Sequence, residues 1–276
     1  MTARVEQRVR HRRRVTKRRA VIGGVTALGL TGAALVTTSM LTTAGASSVW
    51  PTAKGSKAVS KTIPVSDTYD GKLTKFYGSG ALGTSGQDES QDPVFELADG
   101  ATLKNVIIGT PAADGVHCLG SCTLQNVWWL DVGEDAASFK GKSSSAVYTV
   151  YGGGAKGADD KVLQFNGAGK LVVSKFQVEN SGKLVRSCGN CKTQYKRTII
   201  INDVDVTAPM KAIVGVNANY GDTAALRNIR IHGDSKKKIK TCVSFQGNNT
   251  GKEPTELSTG PDGKTCKFTT SDISYE

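Results

Sequence analysis

Three carboxylates stand within five residues at the end of one hydrophobic run. The segment Asn126–Gly141 reads NVWWLDVGEDAASFKG, and its acids are Asp131, Glu134 and Asp135. A turn crowded with oxygen ligands suits a hard divalent cation such as calcium. The sequence therefore predicts a calcium site in the turn that follows this strand, with Glu134 and Asp135 as stronger ligand candidates than Asp131.

Further acids and a set of bases recur at regular distances from this turn. Asp114 lies 20 residues before Glu134, and Asp160 lies 25 residues after Asp135. Lys161 follows Asp160 directly, Lys183 follows Lys161 by 22 residues, and Arg186 comes three residues later. Acids that hold a metal beside bases that stay charged suit chemistry on an anionic substrate, because the metal ion and the charged bases both stabilise negative charge.

These spacings follow a repeat of short β-type runs. TLKNVIIG at Thr102–Gly109 returns twenty-one residues later as TLQNVWW at Thr123–Trp129. Related runs follow at Ala146–Tyr151, Leu171–Phe176, Thr198–Val204 and Leu226–Ile231. A period near 21–25 residues with β-branched strands and no helical pattern predicts an all-β, single-domain solenoid, a right-handed parallel β-helix. The L-x-x-L-x-L frame of leucine-rich repeats is missing, and a β-sandwich would show shorter hairpin spacings.

A β-helix places residues one period apart on adjacent rungs, roughly 4.8 Å apart. One face of the solenoid is therefore expected to carry a ladder of Asp114, Glu134 or Asp135, Asp160–Lys161 and Lys183, with Arg186 on the rung of Lys183. Asparagines also recur at one rung position, at Asn105, Asn126 and Asn228, which predicts a ladder of side-chain hydrogen bonds. Trp128 and Trp129 cannot both face inward on a strand, and His117 and His232 are interpreted as structural.

The first 46 residues have the pattern of an export signal. The first nineteen carry nine Lys or Arg and one Glu and end in Arg18-Arg19, and residues 20–46 carry no charge. Small residues at Ala44 and Ala46 suit cleavage after Ala46. The pattern predicts a signal peptide over 1–46, resembling a twin-arginine signal; a transmembrane anchor is the alternative. We expect a lead-in and first rung over 47–84 and the β-helix domain over 85–276.

Removal of this signal changes the charge of the chain. The whole sequence has a net charge of +12, but residues 47–276 hold 27 Lys or Arg against 23 Asp or Glu. A mildly basic chain without an aromatic-interleaved basic stripe does not predict a nucleic-acid partner. An acidic polymer bound in a local cleft fits better. We expect a secreted monomer with no stable membrane association after cleavage.

Six cysteines fall in the exported part. In an extracellular chain an even number predicts disulfides, and the close spacings favour Cys118–Cys122 and Cys188–Cys191, leaving Cys242–Cys266. The first four cysteines also have zinc-ligand spacing, which is the alternative.

In these residues and their spacing, the chain resembles pectate lyases of polysaccharide lyase family 3. The matching segments are Val94–Gly109, Ala113–Cys118, Asn126–Gly141, Gly152–Val162, Gly182–Cys191 and Val214–Asp222. The resemblance implies calcium-dependent cleavage of de-esterified homogalacturonan (pectate) by β-elimination on a short parallel β-helix. The chain departs from the family pattern at Leu130, Phe165, Asn180-Ser181 and Val185.

The resemblance also implies roles for individual residues. It matches the metal ligands at Asp114, Glu134, Asp135 and Asp160, and the basic, catalytic face at Lys161, Lys183 and Arg186. Lys183 and Arg186 are also expected to bind substrate, as is Glu89 on the rim of the cleft.

β-Elimination needs a base that removes the proton on C5 of a galacturonate. Lys161 is the preferred base, because nearby cations would lower the pKa of its amine by like-charge repulsion, and Arg186 is the alternative. Two other functions use the same fold class. A non-catalytic calcium-dependent binder of acidic polysaccharide would not need all three bases. A polygalacturonase would place two carboxyl groups across the scissile bond without a metal.

Overall fold

A computed structural model of the chain describes residues 49–88 and 90–276. The predicted signal peptide and Glu89 therefore lie outside the described residues. The strands are β1 Gly55–Val59, β2 Ile63–Val65, β3 Thr68–Gly78, β4 Phe95–Leu97, β5 Ala101–Ile108, β6 Val116–Cys118, β7 Cys122–Trp129, β8 Ala137–Phe139, β9 Val147–Lys156, β10 Lys161–Phe165, β11 Gly169–Ser187, β12 Arg197–Asn217, β13 Thr223–His232, β14 Lys240–Gln246, β15 Thr255–Thr259, β16 Cys266–Lys267 and β17 Ile273–Tyr275. Short 3-10 helices occur at Gly80–Leu82, Ala218–Tyr220 and Thr270–Asp272.

The strands pair in parallel as successive turns of a coil, and only β14 and β15 pair antiparallel in the described part. Each turn contributes to three faces. Face A contains the first half of strands such as β5 and β7, face B contains their second half, and face C contains β4, β6, β8, β10 and the ends of β11 and β12 with β14. The predicted parallel β-helix is confirmed.

Columns of apolar residues fill the interior. On face C one column stacks in register through Phe95, Val116, Ala137, Leu163, Val185, Val214 and Cys242, which are buried. On face A, Leu103, Leu124, Val150, Val173, Ile201 and Leu226 do the same. Each Val, Leu, Ile or Phe side chain of these columns stabilises the fold by roughly 1.5–3 kcal/mol when it leaves water. Because inward and outward residues alternate, the polar partners of these strands face solvent or the cleft.

The corner between faces A and B explains the recurring asparagines. Asn105, Asn126 and Asn228 have φ of 52°, 54° and 49°. Short polar side chains tolerate this left-handed conformation best after glycine. Asn126 Nδ2 donates to Asn105 Oδ1 at 2.8 Å, Asn105 to Asp70 at 3.0 Å and Asn228 to Asp203 at 3.0 Å. The predicted ladder is confirmed in two sections.

The other predictions about packing are also answered. The disulfides are Cys118–Cys122, Cys188–Cys191 and Cys242–Cys266, so these thiols are not zinc ligands. Trp129 is buried in the core, whereas Trp128 is partly exposed on face B and packs edge-on against Trp50 at 5.4 Å. Over the described ranges, we find no helix of the length and apolarity that crossing a membrane requires.

Candidate active site

The acid cluster of Asp114, Glu134 and Asp135 lies in two adjacent turns that lead from face B into face C. These side chains are 3%, 4% and 2% exposed, and one carboxylate oxygen from each lies within 4.8 Å of the others. The two turns pack directly on one another. A Cβ on Gly133 would lie 2.0 Å from the Ala113 carbonyl oxygen, so only glycine allows this approach.

The donor set of the acid cluster fits a calcium ion. Oδ1 of Asp114 and Oδ1 of Asp135 are buried and accept no hydrogen bond from the described residues. Burial, helped by the charges of the neighbouring carboxylates and opposed by that of Lys161, raises the pKa of Asp135 well above its usual value. Clustered carboxylate oxygens, two of them without a hydrogen bond from the described residues, suit a hard cation, which completes its shell with water or substrate oxygens.

Lys161 begins β10 beside this cluster. Its Nζ lies 3.2 Å from Glu134 Oε1, 3.4 Å from Asp135 Oδ1 and 3.3 Å from Asp160 Oδ2. Burial alone would favour the neutral amine, but the charges of Asp135, Glu134 and Asp160 outweigh it and raise the pKa of Lys161. In this arrangement the amine is a cation that compensates the buried acids.

Asp160 and Lys183 form the next part of the ladder. Lys183 stands directly above Lys161 in the parallel register, and its Nζ donates to Asp160 Oδ1 at 2.6 Å. Partial burial works against ionisation of Asp160, but the hydrogen bond and charge of Lys183, with Lys161, lower its pKa. Asp160 lies outside the group of three acids and is 44% exposed. Its role as a metal ligand stays a prediction.

Arg186 occupies the outward position of β11 in register with Gln164 below and Gly215 above. Its Nη1 donates to Ser187 O at 2.5 Å and to Asn217 Oδ1 at 3.1 Å. The guanidinium carbon lies 4.1 Å from the centre of the Phe245 ring. Burial lowers the pKa of Arg186 to about 10, although the charges of Asp222 and Glu253 act in the opposite direction.

A cleft of about 690 Å³ joins these groups to the C-terminal hairpin, which is formed by the antiparallel strands β14 and β15. Its lining includes Asp160, Lys161, Gln164, Lys183, Arg186, Lys211, Lys240 and Phe245. The structure thus brings the predicted bases together on face C, beside the acid cluster. Asp131 is not part of this arrangement, because it accepts a hydrogen bond from Thr110 Oγ1 at 2.7 Å and lies outside the group of three acids.

Sequence reasoning missed several residues that contact the site. His117, interpreted as structural, has Nε2 2.5 Å from Asp114 Oδ2 and its ring nitrogens 3.0 and 3.1 Å from Lys140 Nζ. Because His117 follows Asp114 by only three residues, the sequence did hold a signal that the two side chains could be in contact. Asn217 lies in a segment that carries the family resemblance without an assigned role. For Phe245, the sequence holds no local signal.

Comparison with known proteins identifies the family independently of the site geometry. A sequence profile of the family described as Pectate lyase matches residues 47–252. The chain belongs to the pectate lyase family. The family assignment made from the motifs is thereby confirmed, and the chain is an enzyme of that class.

Two fungal relatives and two bacterial structures show how far this similarity extends. Pectate lyase E of Emericella nidulans is 51% identical over 221 residues, which are 79% of this chain and 83% of that protein. A probable pectate lyase E of Neosartorya fischeri is 49% identical over the same shares. The catalytic domain of pectate lyase PelI from Erwinia chrysanthemi matches with a TM-score of 0.68 and 32% identity, covering 80% of this chain and all of that one. The same lyase in complex with tetragalacturonic acid matches with a TM-score of 0.67 and 32% identity, over 79% and 70% of the two chains.

Proposed function

We propose that this pectate lyase cleaves de-esterified homogalacturonan by calcium-dependent β-elimination and releases 4,5-unsaturated oligogalacturonides. The observation that carries the proposal is the arrangement on face C. Three buried acids, two of which have a carboxylate oxygen without a hydrogen bond from the described residues, lie next to Lys161, and Lys183 and Arg186 follow along one cleft. A crystallised structural relative holds tetragalacturonic acid, which supports an oligogalacturonate as the ligand of this cleft.

The acid cluster would hold calcium through Asp114, Glu134 and Asp135, with Asp160 as a further candidate. When bound, the ion supplies a positive charge that can neutralise the uronate carboxylate next to C5. Lys183 brings a fixed positive charge to the same cleft, where it would stabilise the negative charge that develops as the C5 proton leaves. The electron pair of the C5–H bond forms the C4–C5 double bond, the C4–O4 bond breaks, and the leaving oxygen takes up a proton.

Two residues are candidates for the base. A base must be unprotonated, and the contacts of Lys161 with three carboxylates hold its amine protonated. The hydrogen bonds of Arg186 go to neutral acceptors, Ser187 O and Asn217 Oδ1, and burial lowers its pKa to about 10 although the charges of Asp222 and Glu253 oppose this. These contacts favour Arg186 as the proton acceptor, with Lys161 holding the acids in position. Lys161 as the base stays a prediction, and either choice predicts an alkaline optimum.

Chemical rescue separates the two candidates. We would add guanidine to Arg186→Ala and a primary amine to Lys161→Ala, and follow turnover against pH. If Arg186 is the base, guanidine restores turnover in proportion to its unprotonated fraction, and the amine restores less to the lysine variant. The opposite pattern would make Lys161 the base.

Secretion belongs to the same proposal. We propose that residues 1–46 are removed as a signal peptide and that residues 47–276 act as an extracellular monomer on pectate. Three disulfides in the described part support an oxidising compartment.

The first experiment is an assay of purified residues 47–276 on polygalacturonate at alkaline pH, with calcium and then with a chelator. A calcium-dependent rise in the ultraviolet absorbance of the unsaturated product would establish elimination. New reducing ends without that absorbance would mean hydrolysis and overturn the proposal. Binding without either signal would favour the calcium-dependent binder.

A further inference from the structure

The Arg186 side chain passes over Gly215, a residue of the next turn that has no side chain to block it. Gly215 is the next residue above it in the register, and Val243 follows Gly215. A Cβ on Gly215 would lie 2.9 Å from Arg186 Cδ and 3.1 Å from Phe245 Cε2. The missing side chain therefore lets the arginine extend along the helix axis to a phenylalanine that is carried by β14, two strands away in the face C stack.

The guanidinium is enclosed on several sides at the end of this path. The Phe245 ring lies 4.1 Å from the guanidinium carbon. Gly189 approaches closely, since a Cβ there would lie 2.3 Å from Arg186 Nη2 and 2.2 Å from Pro254 Cγ. Arg186 itself is only 8% exposed. A side chain enclosed in this way has lost the rotamer freedom that an arginine has on an open surface.

One edge of the guanidinium is anchored, and the other keeps its hydrogen-bond donors unused among the described residues. Nη1 donates to Ser187 O and to Asn217 Oδ1. The Asn217 amide is fixed in turn, because its Nδ2 donates to Cys188 O at 2.9 Å and its backbone N–H to Asp222 Oδ2 at 3.0 Å. Across residues 49–88 and 90–276, Nε and Nη2 of Arg186 make no hydrogen bond. That edge belongs to a residue that lines the cleft, and it is the edge that pairs bidentately with a carboxylate.

We propose that Phe245 is a positioning residue for Arg186. Its aromatic face, reached across Gly215, holds the guanidinium so that Nη1 stays on Asn217 and the donors of the Nε–Nη2 edge remain available to the substrate. The proposal rests on the proposed function, since it assigns a purpose to the orientation of a residue that touches substrate. It also gives the C-terminal hairpin a part in the active site, because Phe245 is carried by β14. The Cys242–Cys266 disulfide joins β14 to β16 and so fixes the strand that carries this ring.

The test compares Phe245→Leu with Phe245→Tyr and with the matched control Phe268→Leu. Leucine keeps an apolar side chain but removes the ring face that fixes the orientation of the Arg186 side chain, and a misplaced catalytic group is expected to lower kcat about tenfold. We expect kcat on polygalacturonate to fall about tenfold in Phe245→Leu with KM nearly unchanged. Phe245→Tyr should recover most of that loss. Phe268 packs on the core outside the cleft, so the control should keep the wild-type kcat.

A second measurement reads the position of Arg186 without catalysis. The Nε–H signal of Arg186 in a ¹⁵N spectrum should move and broaden in Phe245→Leu, and keep close to its wild-type position in the tyrosine variant. Wild-type kcat together with an unmoved Arg186 signal in Phe245→Leu would overturn the inference, as would equal kcat losses in the leucine and tyrosine variants. Absence of the unsaturated product with the wild-type enzyme would instead refute the proposed function.

Discussion

Replacement of Asp135 by asparagine tests whether the acid cluster binds calcium without disturbing the rest of the fold. Asp135 is 2% exposed, its Oδ2 accepts a hydrogen bond from Ser138 Oγ at 2.9 Å, and its Oδ1 accepts none from the described residues. Asparagine has nearly the same shape and retains an oxygen that Ser138 can bond. The change therefore removes one charged ligand with little effect on packing.

The effect on calcium binding can be given a size. Calcium at about 100 times its Kd stabilises a folded protein by about 2.7 kcal/mol, and a chain of this size gains roughly 2–4 °C in Tm per kcal/mol. The wild-type Tm should therefore rise by roughly 5–11 °C. Loss of a supporting group at a metal site weakens binding about 10- to 100-fold, and a direct ligand belongs at the upper end. At the same calcium concentration the variant should gain only about 1 °C.

In chelator the effect should have the opposite sign. Burial, helped by Glu134 and Asp114 and opposed by Lys161, raises the folded-state pKa of Asp135. A carboxyl whose pKa is raised on folding costs stability as pH rises from its unfolded value of about 4 through its folded value. The neutral amide of an asparagine at this position carries no such cost. Without calcium at neutral pH, Asp135→Asn should therefore melt at or above the wild-type temperature.

The assay is thermal unfolding of both proteins with calcium and with chelator, together with turnover on polygalacturonate. Asp131→Asn is the matched control, because Asp131 stands in the same turn but bonds to Thr110 and lies outside the acid cluster. A wild-type calcium shift in Asp135→Asn would refute the assignment of the cluster as the metal site. A loss in Asp131→Asn as large as in Asp135→Asn would mean that general charge, not the cluster, binds the ion.

Three further predictions concern other parts of the molecule. Lys161→Ala and Arg186→Ala should each lower kcat by about 10²–10⁴-fold in calcium, the range for loss of a group that moves or holds a proton, while circular dichroism shows an intact fold. Asp205→Asn should lower the free energy of unfolding by about 1 kcal/mol at pH 7 and by little at pH 3. Burial works against ionisation of Asp205, but the bonds from Arg230 lower its pKa. The stability that the carboxylate contributes is therefore present above its unfolded pKa and is lost as pH falls through its folded pKa. Trp50→Ala should cost about 1–3 kcal/mol in urea unfolding without changing kcat.

Each of these has an outcome that contradicts it. Near-normal turnover in both alanine variants would remove the proposed elimination mechanism. An Asp205→Asn protein that loses as much stability at pH 3 as at pH 7 would show that the residue acts by packing and not by charge. A fall in kcat for Trp50→Ala would connect face B to catalysis, although Trp50 contacts Trp128 and Glu179 on the side away from the cleft.

The repeat was enough to predict the fold because a β-helix is determined by short-range regularity. A period of 21–25 residues fixes which residues stack, and Lys161 does lie in register with Lys183. Alternation along a strand decides which of two neighbours faces inward, so only one of Trp128 and Trp129 could enter the core, and it is Trp129. Short cysteine spacings allowed two of the disulfides to be paired in advance, and the third followed from them.

What only the tertiary structure decided is where the side chains point once their backbones are placed. Stacking predicts that Asp160 stands near the other acids, but not that its carboxylate turns to Lys183 and leaves three acids as a group. It predicts the rung of Arg186, but not that the guanidinium crosses Gly215 to reach Phe245, 59 positions later in the sequence. The backbone period sets positions to within one strand spacing. Rotamers, gaps left by glycines and contacts from distant turns set the remaining few ångströms, and the chemistry depends on those.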